Sequence, residues 1–223
     1  MPLTRYAYRD AISGFFEFPT ENARRILPRG IEPVEPHHGV SIFAVTIFDF
    51  DDSEVGSYRE AVYAVIVPPL VGGNARLAKS AFYPWQVATT TSAARAHAID
   101  RWHLPHWMDD VEVDFVREGR KITAKVRAEG SPAAELSVTD YSWEPVSHLY
   151  QSFQRDGSGS YVANILFEGE KSEHEEETGR LCLLEHLFNR DLVIPEVSEI
   201  PFRELWMRNG VQLFDPLVLL GAK

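Results

Sequence analysis

The chain has 223 residues and a formal net charge of −11. That charge, without any basic stripe, excludes nucleic acid and anionic membrane surfaces as natural partners. At 44% hydrophobic and 25% charged residues the composition is that of a globular protein, and with no linker visible we expect one domain over residues 1–223.

In chain order, residues Thr20 to Leu27 read as a short helix, with Thr20 as cap and Pro28 as its stop. Val40 to Phe48 (VSIFAVTIF) is a nearly unbroken β-branched and aromatic run, which predicts a strand buried on both faces. Asp49 to Gly56 reads as an acidic turn. Glu60 to Val67 is a second strand, and Leu77 to Ala88 a third, interrupted near Pro84. Thr89 to Asp100 groups hydroxyl residues ahead of alanines, the pattern of a capped helix. It runs into Arg101 to Trp107, rich in aromatics and histidine, where Pro105 forbids a helix interior. Val111 to Arg117, Lys121 to Glu129 and Ala134 to Trp143 alternate apolar and polar residues, which predicts an antiparallel meander with one wet face. Tyr161 to Glu168 and Gly179 to Leu184 look like a further strand pair, with the acidic stretch Glu168 to Glu177 a solvated loop between them. Pro201 to Leu220 mixes a short amphipathic piece with another apolar strand. The balance is α+β, with a largely antiparallel sheet that curls on itself.

The single cysteine, Cys182, allows no internal disulfide, which fits a reducing, cytoplasmic setting; in its apolar run it reads as a small buried hydrophobe. Residues Met1 to Arg9 lack the apolar stretch of a signal peptide, and no window reaches the length of a membrane span.

Three segments carry a resemblance. Arg9 precedes a helix and then Leu27 to Pro33 (LPRGIEP). Gly56 to Ala61 (GSYREA) follows, and then the segment ending Trp102-His103-Leu104-Pro105-His106-Trp107. In this order and spacing they resemble the acetoacetate decarboxylases, which have an arginine ahead of a similar helix, a GxYxE motif and a proline followed by two lysines. The resemblance implies a mostly antiparallel, barrel- or cone-like sheet enclosing a cavity, with a few flanking helices, in a homo-oligomer. It implies Glu60 in the active site and Arg9 as partner of a substrate carboxylate, although residue type alone places Arg9 at the surface and Glu60 in a surface ion pair.

The departures carry equal weight. The family's first lysine forms an imine with the keto group, which needs an unprotonated primary amine. His106 and Trp107 stand at the two lysine positions, and Ile99 and Asp100 where the family has arginine and glutamate. Imidazole forms no stable imine. Of the five lysines, Lys121 and Lys125 alternate with apolar residues and face solvent, Lys171 falls in the acidic stretch, Lys223 ends the chain, and Lys79 alone could point inward. Glu60 and Tyr58 share one side of a strand, where carboxyl and phenol can exchange protons. We expect His106 and Glu60 as catalytic groups, and Arg9, Tyr58, His103, Trp102 and Trp107 as substrate-binding. His106 acts either as an acid–base group or as filler of a repurposed cavity. His97, His103 and His106 have no metal-site spacing, so neither metal nor other cofactor is called for.

The expected function is imine-free, lyase-type acid–base chemistry on a small oxo-acid or related metabolite. The alternatives are a non-catalytic protein binding a small oxo-acid or hydrophobic ligand, and a true decarboxylase working through a relocated Lys79. No nucleic acid and no membrane is expected as partner.

Overall fold

A computed structural model describes residues 3–70 and 77–220; Lys223 lies outside them. The strands are β1 (Thr4–Pro19), β2 (Val40–Ser53), β3 (Tyr58–Val67), β4 (Ser80–Thr89), β5 (Val111–Glu118), β6 (Lys121–Ala128), β7 (Ser131–Thr139), β8 (Glu144–Asp156), β9 (Gly159–His174), β10 (Arg180–Leu183), β11 (Arg203–Phe214) and β12 (Val218–Leu219). Two α-helices interrupt them, α1 (Thr20–Ile26) and α2 (Ser92–Trp102).

Strands β11-β1-β2-β3-β4-β8-β9 form one sheet, and β9 pairs back onto β11, which closes it into a seven-stranded barrel with β12 on the rim. All neighbours are antiparallel except β4 and β8, whose parallel ladder joins only Ser80, Phe82 and the residue between them to Tyr150–Ser152. A second, four-stranded sheet, β10-β7-β6-β5, packs on the outside. The barrel therefore has two buried faces. On β2, Phe43, Val45 and Ile47 belong to the core shared with Ile122, Ala124, Leu136 and Val138 of the second sheet. The alternate residues Thr46 and Phe48 face the lumen. This is why the Val40–Phe48 run lacks polar alternation: each side of the strand meets apolar neighbours.

Pro84 sits inside β4 because the ladder slips there. Tyr63 pairs with Gln86 and Ala64 with Pro84, so Trp85 is an extra residue opposite none. The bulge removes the need for a ladder donor at Pro84. The barrel is tied to the second sheet by Asp10, buried, which accepts from Trp206 Nε1 at 2.7 Å and from Arg117 of β5 at 2.6 Å.

Several expectations are corrected. Strand β2 runs on through the supposed turn to Ser53. The Glu168–Glu177 stretch is strand as far as His174, because it is paired on both sides, by β8 and β11. The expected pairing of Tyr161–Glu168 with Gly179–Leu184 does not occur: β10 pairs with β7 in the other sheet. Pro19, not Thr20, caps α1, and the Thr20 hydroxyl bonds Ser41 instead. Cys182 is exposed, since it lies on the outer face of β10. Lys171 is buried and ion-paired, not in a loop. Among the described residues no helix is long and apolar enough to cross a membrane.

Candidate functional site in the barrel lumen

Period-two alternation on each strand builds the lumen. Ser13 and Phe15 come from β1, Glu60, Val62 and Ala64 from β3, Ile165 and Phe167 from β9, and Leu205 and Met207 from β11. Together with Phe82, Tyr150 and Leu104 they enclose a cavity of about 110 Å³. Its wall is apolar apart from Ser13, Thr46, Ser152, Gln154, Gln212, the Tyr150 phenol and one carboxyl, Glu60. No lysine, arginine or histidine lines it among the described residues.

Glu60 stands at the inner end, and no hydrogen-bond partner for its carboxyl occurs among the described residues. Burial raises its pKa to about 8, so it is largely protonated at neutral pH. Its side chain borders both the lumen and a smaller adjoining void of about 20 Å³. That void is walled by Tyr6, Tyr58, Glu60, His97, Trp102 and Gln212, with Leu104 and Phe214. Two polar contacts organise it. Trp102 Nε1 donates to the Tyr6 hydroxyl at 2.6 Å, and the same hydroxyl lies 2.6 Å from His97 Nε2. The Tyr6 and Tyr58 phenols are pushed far up by burial, and the nearby Glu60 adds to both. His97 is held below its ordinary value, first by burial and then by Arg101, against the pull of Glu54.

Helix α2 delivers these groups. The Thr91 side chain caps it, accepting from Ala94 N at 3.2 Å, as the hydroxyl cluster suggests. It ends at His103 in the left-handed conformation, with Leu104 N bonded back to Ala98 O. The chain then turns along β4: Trp107 N donates to Val87 O at 2.8 Å. This strip puts Leu104 into the lumen beside the short β4–β8 seam.

The structure brings Glu60, Tyr58 and Trp102 together and sends the other expected residues elsewhere. His106 Nδ1 donates to the Trp107 carbonyl at 2.6 Å, and its Nε2 lies 3.2 Å from the Thr89 hydroxyl, outside both the lumen and the void. Burial and Arg95 depress its pKa. His103 leaves with the helix end, paired to Asp156 and stacked on Tyr161. Trp107 packs on Phe188 in the core between barrel and second sheet. Arg9 is the bulged residue of β1, skipped between Tyr8 and Asp10, and lies on the outer surface near Asp49 and Asp51. The three histidines thus point apart, and no cluster of three metal-ligating side chains exists among the described residues.

Lys79 marks the opposite mouth. It bonds both oxygens of Glu173, at 2.9 and 2.7 Å, and Glu173 also accepts from Lys171 at 2.8 Å. The mouth opens into a cleft of about 370 Å³ that shares Phe15, Phe82, Tyr150 and Leu205 with the lumen wall.

The seven-stranded mixed barrel with its flanking sheet matches the acetoacetate-decarboxylase-like fold seen in solved structures. One acetoacetate decarboxylase superposes with a TM-score of 0.67 at 14% identity, over 100% of this chain and 91% of its own. The acetoacetate decarboxylase of Legionella pneumophila gives 0.64 at 15% identity, over 98% and 87%. The enduracididine biosynthesis enzyme MppR, solved with pyruvate, gives 0.60 at 12% identity, over 99% and 91%. No family model and no curated protein matches the sequence.

Proposed function

We propose that the protein is an enzyme of imine-free, lyase-type chemistry acting on a small oxo-acid or related carbonyl metabolite, with Glu60 as its proton donor. The observation that carries this is one carboxyl held neutral at the end of an apolar lumen. A protonated carboxyl there can donate to the carbonyl oxygen of a bound 3-oxo acid. As the bond from the α-carbon to the carboxylate breaks, carbon dioxide leaves and the electron pair moves into the carbon–carbon bond of an enol. The carbonyl oxygen takes the Glu60 proton. An apolar site supports such a step, because it disfavours the localised charge of the bound carboxylate more than the dispersed charge of the transition state. The wall offers no amine among the described residues to form an imine, and Lys79 lies outside it, engaged with both oxygens of Glu173.

Neighbours of this fold are solved with small oxo ligands, MppR with pyruvate and with the condensation product of pyruvate and imidazole 4-carboxaldehyde. For this chain a carbonyl ligand remains our reading, as do a cytoplasmic setting and a homo-oligomer. The lack of a lumen cation favours a second reading, a non-catalytic carrier of a neutral keto compound. The test is nuclear magnetic resonance of 2-oxo and 3-oxo acids incubated with the protein, with and without borohydride. Turnover that Glu60→Gln abolishes, with no borohydride adduct, is expected. Binding without turnover selects the carrier, and an adduct on Lys79 or Lys171 restores imine chemistry.

A further inference from the structure

An acid that turns over must be re-protonated, and on the lumen side of Glu60 the one other titratable group among the described residues is Tyr150, whose phenol is pushed far above neutral by burial. The void behind Glu60 adjoins a histidine. At about 20 Å³ it exceeds the ~10–15 Å³ that one water needs, and the polar side chains of Glu60, Tyr58, Tyr6, Gln212 and Trp102 border it. The half-buried His97 on α2 completes its wall.

We propose that His97 and Tyr6, joined to Glu60 through one water in this void, form the proton path between the lumen and solvent. This rests on the reading of Glu60 as the acid. The hydrogen-bond geometry sets the direction of each proton. Trp102 Nε1 can only donate, so the Tyr6 oxygen accepts from it and keeps its own hydrogen to give. With His97 neutral and its hydrogen on Nε2, the ring donates to the Tyr6 oxygen, whose two lone pairs accommodate both Trp102 and His97, and the Tyr6 hydrogen points into the void. A proton from solvent binds the free Nδ1. Nε2 then gives its proton to the Tyr6 oxygen as Tyr6 gives its own to the water and the water gives one of its protons to the Glu60 carboxylate. One proton enters at the imidazole and one arrives at the carboxylate, with the phenol unchanged. The charged and titratable groups around the path are Arg101 on the helix itself, Glu54 before β3, and Tyr58 and Glu60 on β3. Depression of the His97 pKa suits the task, since a ring neutral at pH 7 releases the proton it receives.

The experiment follows the Glu60 carboxyl by infrared absorption after a rapid pH jump. The band that Glu60→Gln deletes identifies it. We expect its re-protonation to slow by about tenfold or more in Tyr6→Phe, His97→Phe and His97→Gln, with little change in midpoint. His97→Gln keeps a hydrogen-bonding group beside Tyr6 but shuttles no proton, so it separates transfer from packing. Imidazole in solution should restore the rate in His97→Ala in proportion to its concentration. Unchanged rates in the three variants, or a slow His97→Ala that imidazole does not rescue, overturn the path while leaving Glu60 as the acid. Absence of any titrating band that Glu60→Gln removes overturns both.

Discussion

The Gly179 backbone N–H donates to Glu204 Oε1 at 2.6 Å, at a point where a side chain on residue 179 would force its neighbours to move. A Cβ there would stand 2.6 Å from the Ser137 carbonyl oxygen and 2.8 Å from the Glu204 carboxyl. Glu204 is fully buried on β11 and also accepts from Thr139 N at 2.8 Å and Thr178 N at 2.7 Å. One carboxylate thus fastens the barrel to two segments of the second sheet. Glu204→Gln places amide hydrogens against backbone donors, and we expect it to cost about 3–5 kcal/mol in urea unfolding. Gly179→Ala should cost about 1–3 kcal/mol by displacing the same contact.

Glu60 should leave a pH signature on stability. Its pKa is raised in the folded chain, from an ordinary 4.5 to about 8. The folded state therefore holds a proton that the unfolded chain has released, and stability falls as pH rises between these values. Relative to Glu60→Gln, the wild type should be comparable below pH 4.5 and weaker by about 2–4 kcal/mol above pH 8. Thermal melts of both proteins from pH 4 to about 9 measure this. A constant difference would contradict a buried neutral Glu60.

Glu173 behaves in the opposite sense. Although burial raises its pKa, bonds from Lys171 and Lys79 outweigh this and hold it down to about 2. Its stabilisation is present above the ordinary carboxylate range and is lost as pH falls through about 2. Glu173→Gln should cost about 1–2 kcal/mol at pH 7, discounted for its partial exposure, and the gap should narrow as pH falls from the ordinary carboxylate value of 4.5 towards about 2. A smaller gap between denaturant midpoints at about pH 3 than at pH 7 tests it.

Thr91→Ala removes the α2 cap and should cost about 1 kcal/mol. Because α2 carries His97, faster amide exchange in its first turn is the accompanying readout.

What was legible in the sequence follows from how much of each signal is local. β2 and β3 announced themselves because both faces of the barrel wall are buried, and α2 because its cap and its alanines are neighbours in sequence. β8 gave no apolar pattern, since it buries Gln151, Ser152 and Gln154 in and around the lumen. The second half of β9, beyond Glu168, was hidden by Glu170 and Glu173, because Arg208, Lys79 and Lys171 answer them only once the barrel closes. Glu60 and Tyr58 could be paired by their spacing of two. Tyr6, His97 and Gln212 could not, since β1, α2 and β11 meet only in the folded chain. Arg9 was displaced by a bulge, and His106 by a left-handed helix end at His103, neither of which has a glycine to signal it.

The short parallel ladder between β4 and β8 has a mechanical meaning. Every other junction in the barrel wall is stitched by a longer antiparallel run, and the chain between these two strands makes an excursion through α2 and three of the four strands of the second sheet. A closed cylinder under thermal load parts first along its thinnest weld. Here that weld runs beside Leu104, so the breach would open directly onto the lumen. Traffic into and out of the barrel can then be governed by how often three residue pairs let go, with the rest of the wall left standing.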